Sequence, residues 1–105
     1  MTTTTNPEIA RTILRQIGGN MALTMIGAKN LVDTGEGVSM KIGRNAKRVT
    51  HITIRLTADD LYVVDFIRVG RAPKFTTDLV ANFSGVYAEM LRELIESNTG
   101  MYLSL

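Results

Sequence analysis

The sequence predicts an α+β domain, an antiparallel meander of four to five strands with an N-terminal helix and a C-terminal amphipathic helix packed on it. Three observations carry this reading. Apolar residues recur three and four apart near both ends of the chain and two apart between them. The turn-forming clusters Asp33-Thr-Gly-Glu-Gly37, Gly43 to Arg48 and Ala58-Asp59-Asp60 punctuate the middle. None of these connections is long enough for a helical crossover, so neighbouring strands run antiparallel. With 105 residues, 45% of them hydrophobic and 21% charged, the chain is sized for one domain over residues 1–105 with a single core. The threonine-rich residues 1–5 are expected to fray.

Asn6-Pro7-Glu8 opens the first helix with a capping side chain, a proline whose φ is already set and an acid near the positive end of the dipole. Ile9, Ile13 and Ile17, with Ala10 and Leu14, form its apolar stripe, and Gly18-Gly19 stops it. Strands are expected over Met21 to Ile26, Val38 to Ile42, Val49 to Leu56, Leu61 to Val69 and Phe75 to Val80. The second helix opens near Ser84, turns Val86, Met90, Leu94 and Tyr87, Leu91, Ile95 inward, and closes at Asn98-Thr99-Gly100. The tail from Met101 to Leu105 is apolar enough to dock.

Register and facing are coupled in the hairpin around Asp59. A two-residue loop mixes charge with hydrophobes on both faces. A three-residue loop, Ala58-Asp59-Asp60, pairs Leu56 with Tyr62, Ile54 with Val64 and Ile52 with Phe66, giving one clean core face, with Asp60 taking the left-handed conformation. It sets Thr53 opposite Asp65 with Arg55 in reach of that acid, His51 opposite Ile67, and Thr50 opposite Arg68. Leu61, Val63 and Ile67 then line the far face, where the first helix, the tail or another chain must cover them.

Charge is concentrated between Lys41 and Lys74, where eight basic residues meet three acidic ones in a chain of formal charge +2. Six cations, Arg44, Lys47, Arg48, Arg68, Arg71 and Lys74, fall on two loops that the register brings to one end of the sheet, which suits a nucleic-acid phosphate clamp. Six phosphate contacts on duplex DNA would give a salt slope of about −5. The plainer reading is that basic loops keep sheet ends soluble. Aromatic interleaving is weak, since Tyr62 and Phe66 point to the core and only Phe75 lies beside the loops.

Other chemistries find little support. Cysteine is absent, which removes disulfides, thiolate metal sites and thiol nucleophiles. His51 is the single histidine and reads as a surface strand position. Asp59-Asp60 reads as turn chemistry rather than a cation site, and neither glycine pair precedes a helix in a nucleotide-binding arrangement. Ser39, Ser84, Ser97 and Ser104 lie in no nucleophile motif. The expectation is a non-enzymatic protein without metal or cofactor, and without an export signal or membrane span.

Ile17-Gly-Gly-Asn20, Met25-Ile-Gly-Ala-Lys-Asn30, the strand pair Val49 to Val69, Gly85-Val-Tyr-Ala-Glu-Met-Leu91 and Thr99-Gly100-Met101 resemble a group of small uncharacterised bacteriophage, prophage and plasmid proteins. The resemblance implies the cytoplasm of a bacterial host cell and an accessory role, and it carries no activity, cofactor or site residue. Three functions stay open. One is binding of nucleic acid or a nucleoprotein complex through the basic loops. Another is inhibition of a host defence system, of the anti-CRISPR or anti-restriction type, by contact through Leu61, Val63, Ile67 and the tail. The third is homodimerisation through that same apolar face.

Overall fold

Alternating large apolar and polar side chains in His51–Leu56 (β3) and Tyr62–Val69 (β4) build the centre of the molecule, seen in a computed structural model that describes residues 7–70 and 76–103. The two strands pair antiparallel with Leu56 opposite Tyr62, Ile54 opposite Val64 and Ile52 opposite Phe66. The Thr57 N–H donates to the Leu61 carbonyl at 2.8 Å, and Asp60 has φ 59°, so the connection is the three-residue loop that clean facing requires. Ile52, Ile54, Val64 and Phe66 are each 0% exposed.

Lys29–Asp33 (β1), Gly37–Lys41 (β2) and Thr77–Val86 (β5) complete a five-stranded meander in the order β1-β2-β3-β4-β5. Three helices contribute to one buried cluster with a single face of that sheet: Pro7–Ile17 (α1), Gly19–Met25 (α2) and Leu91–Thr99 (α3), the last preceded by a 3₁₀ turn at Ala88–Met90. Ile13 and Ile17 of α1, Ala22 of α2 and Leu91 and Ile95 of α3 meet Val38, Met40, Ile52, Ile54 and Phe66 there. The Tyr62 hydroxyl donates to Gln16 Oε1 at 2.7 Å, tying the hairpin to α1. The architecture is therefore α+β, as the periodicities predict. No helix among the described residues is long and apolar enough to cross a membrane.

Several expectations need correction. Met21 to Ile26 is not a strand: Ala22 and Ile26, four apart, are both fully buried, while Met21 is 58% exposed, so the helical period decides. Gly18, at φ 123°, lets α1 turn directly into α2. The strand preceding the Asp33–Gly37 turn is instead Lys29–Asp33, a polar edge strand that is nearly all exposed. At the other end, β5 runs through Ser84 to Val86, because Phe83 and Val86 still pair with Val64 and Tyr62. Phe83 also meets Phe66 edge-on at 6.1 Å. The helix consequently starts at Leu91, and Tyr87 and Met90 lie exposed rather than inward. Asn6, the expected cap, and Phe75, the expected strand start, lie outside the described residues.

Val63 and Ile67 occupy the face away from the buried cluster, with Leu61 at the adjoining turn, and all three are half-buried. The first helix and the described part of the tail, residues 101–103, do not cover them. Helix α1 packs in the core, and Leu103, 1% exposed, is drawn into the same core with its N–H on Glu96 Oε2 at 2.9 Å. Asp65 accepts a hydrogen bond from the Asn82 side chain, the partner that the structure gives it in place of the expected Arg55.

Gly37 sits where β2 presses on β3, and a Cβ there would lie 1.8 Å from the Ile54 carbonyl oxygen. Gly37→Ala should lower stability by about 2–3 kcal/mol through backbone displacement, a drop in Tm of about 10 °C or more; thermal unfolding followed by circular dichroism checks it.

Candidate functional site

Beyond the end of β2 the chain leaves the ladder in a loop that one amide side chain holds closed. Asn45 Nδ2 donates to the carbonyls of Gly43 (2.9 Å) and Val49 (2.7 Å), and its Oδ1 accepts from the Val49 N–H at 3.1 Å. A turn bond from the Arg48 N–H to the Asn45 carbonyl completes it, and Arg48 takes a left-handed backbone at φ 57°. At the loop's base the Gly43 N–H bonds the Ile26 carbonyl at 2.9 Å, which fixes it to the helical layer. With their backbone so constrained, Arg44, Lys47 and Arg48 stand exposed.

Thr50 joins this loop to the end of β4. Its N–H donates to the Ile67 carbonyl at 2.8 Å, and its hydroxyl oxygen accepts from the Val69 N–H at 2.8 Å. The regular pairing therefore stops at His51 with Ile67 and does not continue to Thr50 with Arg68 as expected; a hydroxyl substitutes for a carbonyl in the ladder. Released from regular pairing with β3, Arg68 reaches across to the first loop. Its Nε donates to the Arg48 carbonyl and its Nη2 to the Lys47 carbonyl, each at 3.1 Å.

Between the 43–50 loop and the end of β4 lies a hollow of about 930 Å³. Among the described residues Lys41, Arg44, Arg48 and Arg68 are its cationic lining, with His51 beside them and no carboxylate. Ile42, Val49 and Val69 supply apolar wall. Of the six cations the sequence singles out, Arg44, Arg48 and Arg68 line the hollow, and Lys47 is exposed on the same loop. Arg71 and Lys74 lie outside the described residues. Leu61, Val63 and Ile67 are not part of this hollow's lining. Sequence reasoning left out Lys41 and His51, although the β2–β3 register sets them directly opposite one another.

The imidazole of His51 reports the local field. Partial burial, and then the positive charge of Lys41, hold it below its ordinary value of 6.5, so it is neutral at pH 7. Because the unfolded chain then takes up the proton more readily, this group's contribution to stability is complete above 6.5 and is lost as pH falls through the folded value. His51 Nδ1 lies 2.8 Å from the Thr50 hydroxyl. That hydroxyl is already engaged by Val69 and lies 3.2 Å from the Ile67 carbonyl, so its role is in the ladder and not as a nucleophile presented to a substrate. Among the described residues no three acidic or histidine side chains group to hold a metal. The arrangement is suited to holding an anion by charge and by hydrogen bonds.

Asn45→Ala should cost about 1–3 kcal/mol and speed amide exchange at Val49 far more than at Ile54, since only the loop loses its clip; hydrogen exchange read residue by residue checks the contrast. In an NMR titration His51 should have its midpoint below 6.5, and Lys41→Met should move that midpoint part of the way up.

Comparison with protein-family models, with curated proteins and with solved structures finds no match to this chain.

Proposed function

We propose that the protein binds nucleic acid, free or within a nucleoprotein complex, at the hollow between its 43–50 loop and the end of β4, and that it does so as a non-enzymatic accessory factor. The observation that carries this reading is the lining itself. Cations from β2, from the 43–50 loop and from the end of β4 surround one concavity that has no carboxylate among the described residues of its wall. Four like charges held together repel one another, and a polyanion relieves that repulsion while releasing its own counterions. Lys47, exposed on the same loop, extends the positive surface beyond the hollow. Arg68 is assigned a different part from the other cations, because two of its donors are committed to the Lys47 and Arg48 carbonyls.

A second reading rests on the uncovered sheet face. Leu79, opposite Ile67, is 61% exposed, so the apolar surface of Leu61, Val63 and Ile67 continues onto β5. Contact there with a bacterial defence protein, or with a second copy of the chain, is the alternative. Val63→Glu should abolish such contact and leave the hollow unaffected, and capture from a bacterial lysate with and without nuclease separates a tether of nucleic acid from direct protein contact.

If Lys41, Arg44, Lys47 and Arg48 each meet a phosphate, the logarithm of affinity should fall against the logarithm of salt with a slope of about −3 to −4. Arg44→Glu combined with Lys47→Glu should flatten that slope by roughly 1.5–2. Fluorescence anisotropy with labelled oligonucleotides at several salt concentrations measures both; a slope near zero, or no binding at low salt, removes the reading. Bound phosphate should also raise the His51 midpoint, so binding tightens as pH falls through the value of the free protein.

A further inference from the structure

A surface that only tracks duplex phosphates needs charge, but it needs neither a concavity nor an apolar wall. This hollow has both. Its volume of about 930 Å³ lies in the range that encloses small organic ligands, and Ile42, Val49 and Val69 give it walls with nothing to offer a phosphate. In a duplex the bases are paired and stacked away from such a cavity, whereas in a single strand each base has a free, weakly polar face.

Arg68 supplies the surface on which that face could rest. All guanidinium N–H donors lie in the plane of the group. The bonds from Nε to the Arg48 carbonyl and from Nη2 to the Lys47 carbonyl, 3.1 Å each, therefore engage its edge and fix its plane, leaving its flat faces out of the hydrogen bonding. The side chain lines the hollow, and no phenyl, phenol or indole ring is among the described lining residues. A guanidinium pinned by its edge is a ready stacking platform for a nucleobase.

We infer that the ligand of the hollow is an unpaired nucleotide of a single-stranded nucleic acid, with its base on the plane of Arg68 and against the apolar wall, and its phosphates toward Lys41, Arg44 and Arg48. This rests on the nucleic-acid reading above and narrows it to one strand form and one division of labour. Arg68 acts on the base, and the remaining cations act on the backbone.

The test compares four labelled probes on the full chain at one low salt concentration: a ten-residue oligodeoxynucleotide, the same length of abasic deoxyribose-phosphate, a blunt duplex of the same sequence, and the ribo-oligonucleotide. The base-bearing single strand, in whichever sugar binds tighter, is expected to bind about tenfold more tightly than the abasic strand, the low end of what stacking one or two bases contributes. It should also bind more tightly than the duplex. Arg68→Lys keeps the charge and loses the plane, so it should erase the difference between base-bearing and abasic probes, whereas a merely structural loss would weaken both equally. Lys41→Ala should weaken both and leave their ratio intact. An abasic strand or a duplex that binds wild-type protein as well as the base-bearing strand overturns this inference while leaving nucleic-acid binding in place. If no probe binds, both readings fall. The probe comparison on wild-type protein decides the matter even if Arg68→Lys fails to fold.

Discussion

The register of the β3–β4 hairpin is the constraint on which the rest of the molecule depends. Because side chains alternate strictly along a strand, the pairing of Ile54 with Val64 commits every neighbour to one face or the other. It sends Ile52, Ile54, Tyr62, Val64 and Phe66 beneath the helices and leaves Thr53, Asp65 and Ile67 outside. The same pairing brings His51 opposite Ile67, and so delivers Arg68 to the height of the 43–50 loop. A slip of one residue would expose the core and detach the 43–50 loop from the end of β4.

What the register begins, three polar side chains finish. Asn45 closes the first loop on itself, Thr50 fills a gap in the ladder with its hydroxyl, and Arg68 ties the end of β4 to that loop through the Lys47 and Arg48 carbonyl oxygens. Each satisfies backbone groups that would otherwise be left without a partner where the strands part. The cations nearby need no such work from their own charged ends, and so the charge remains concentrated at the rim of the sheet.

How much of this was legible in the sequence follows from how local each signal is. Helix α1 and the central hairpin were readable because a proline start, an isoleucine row and a facing argument are local and mutually consistent. Met21 to Ile26 misled because a short apolar run fits both periods, and only packing against the sheet chooses between them. Strand β1 escaped notice because an exposed edge strand has no buried face to create alternation. Likewise, the row Val86, Met90, Leu94, spaced four apart, extended the second helix backward over a segment that pairs with β4. At the site, the β3–β4 register implied that Arg68 and the 43–50 loop reach the same end of the sheet, whereas the pairing of Lys41 with His51 needed the β2–β3 register, which was not read. The commitment of Arg68 to carbonyls was not, because its side chain bridges residues twenty and twenty-one positions away.

The left-handed backbone at Arg48 bears on how the molecule balances its demands. Asn30 and Asp60 share that conformation, and both are short polar residues that tolerate it; Arg48 is the long, charged exception among the described residues. A glycine would be conformationally easier at that point. Keeping arginine there costs of order 1 kcal/mol of folding free energy in a domain whose whole margin is only about ten times that. A change to glycine at position 48 would thus relax the backbone and remove a positive charge from the rim at once, so thermostability and electrostatic potential are coupled at that one position.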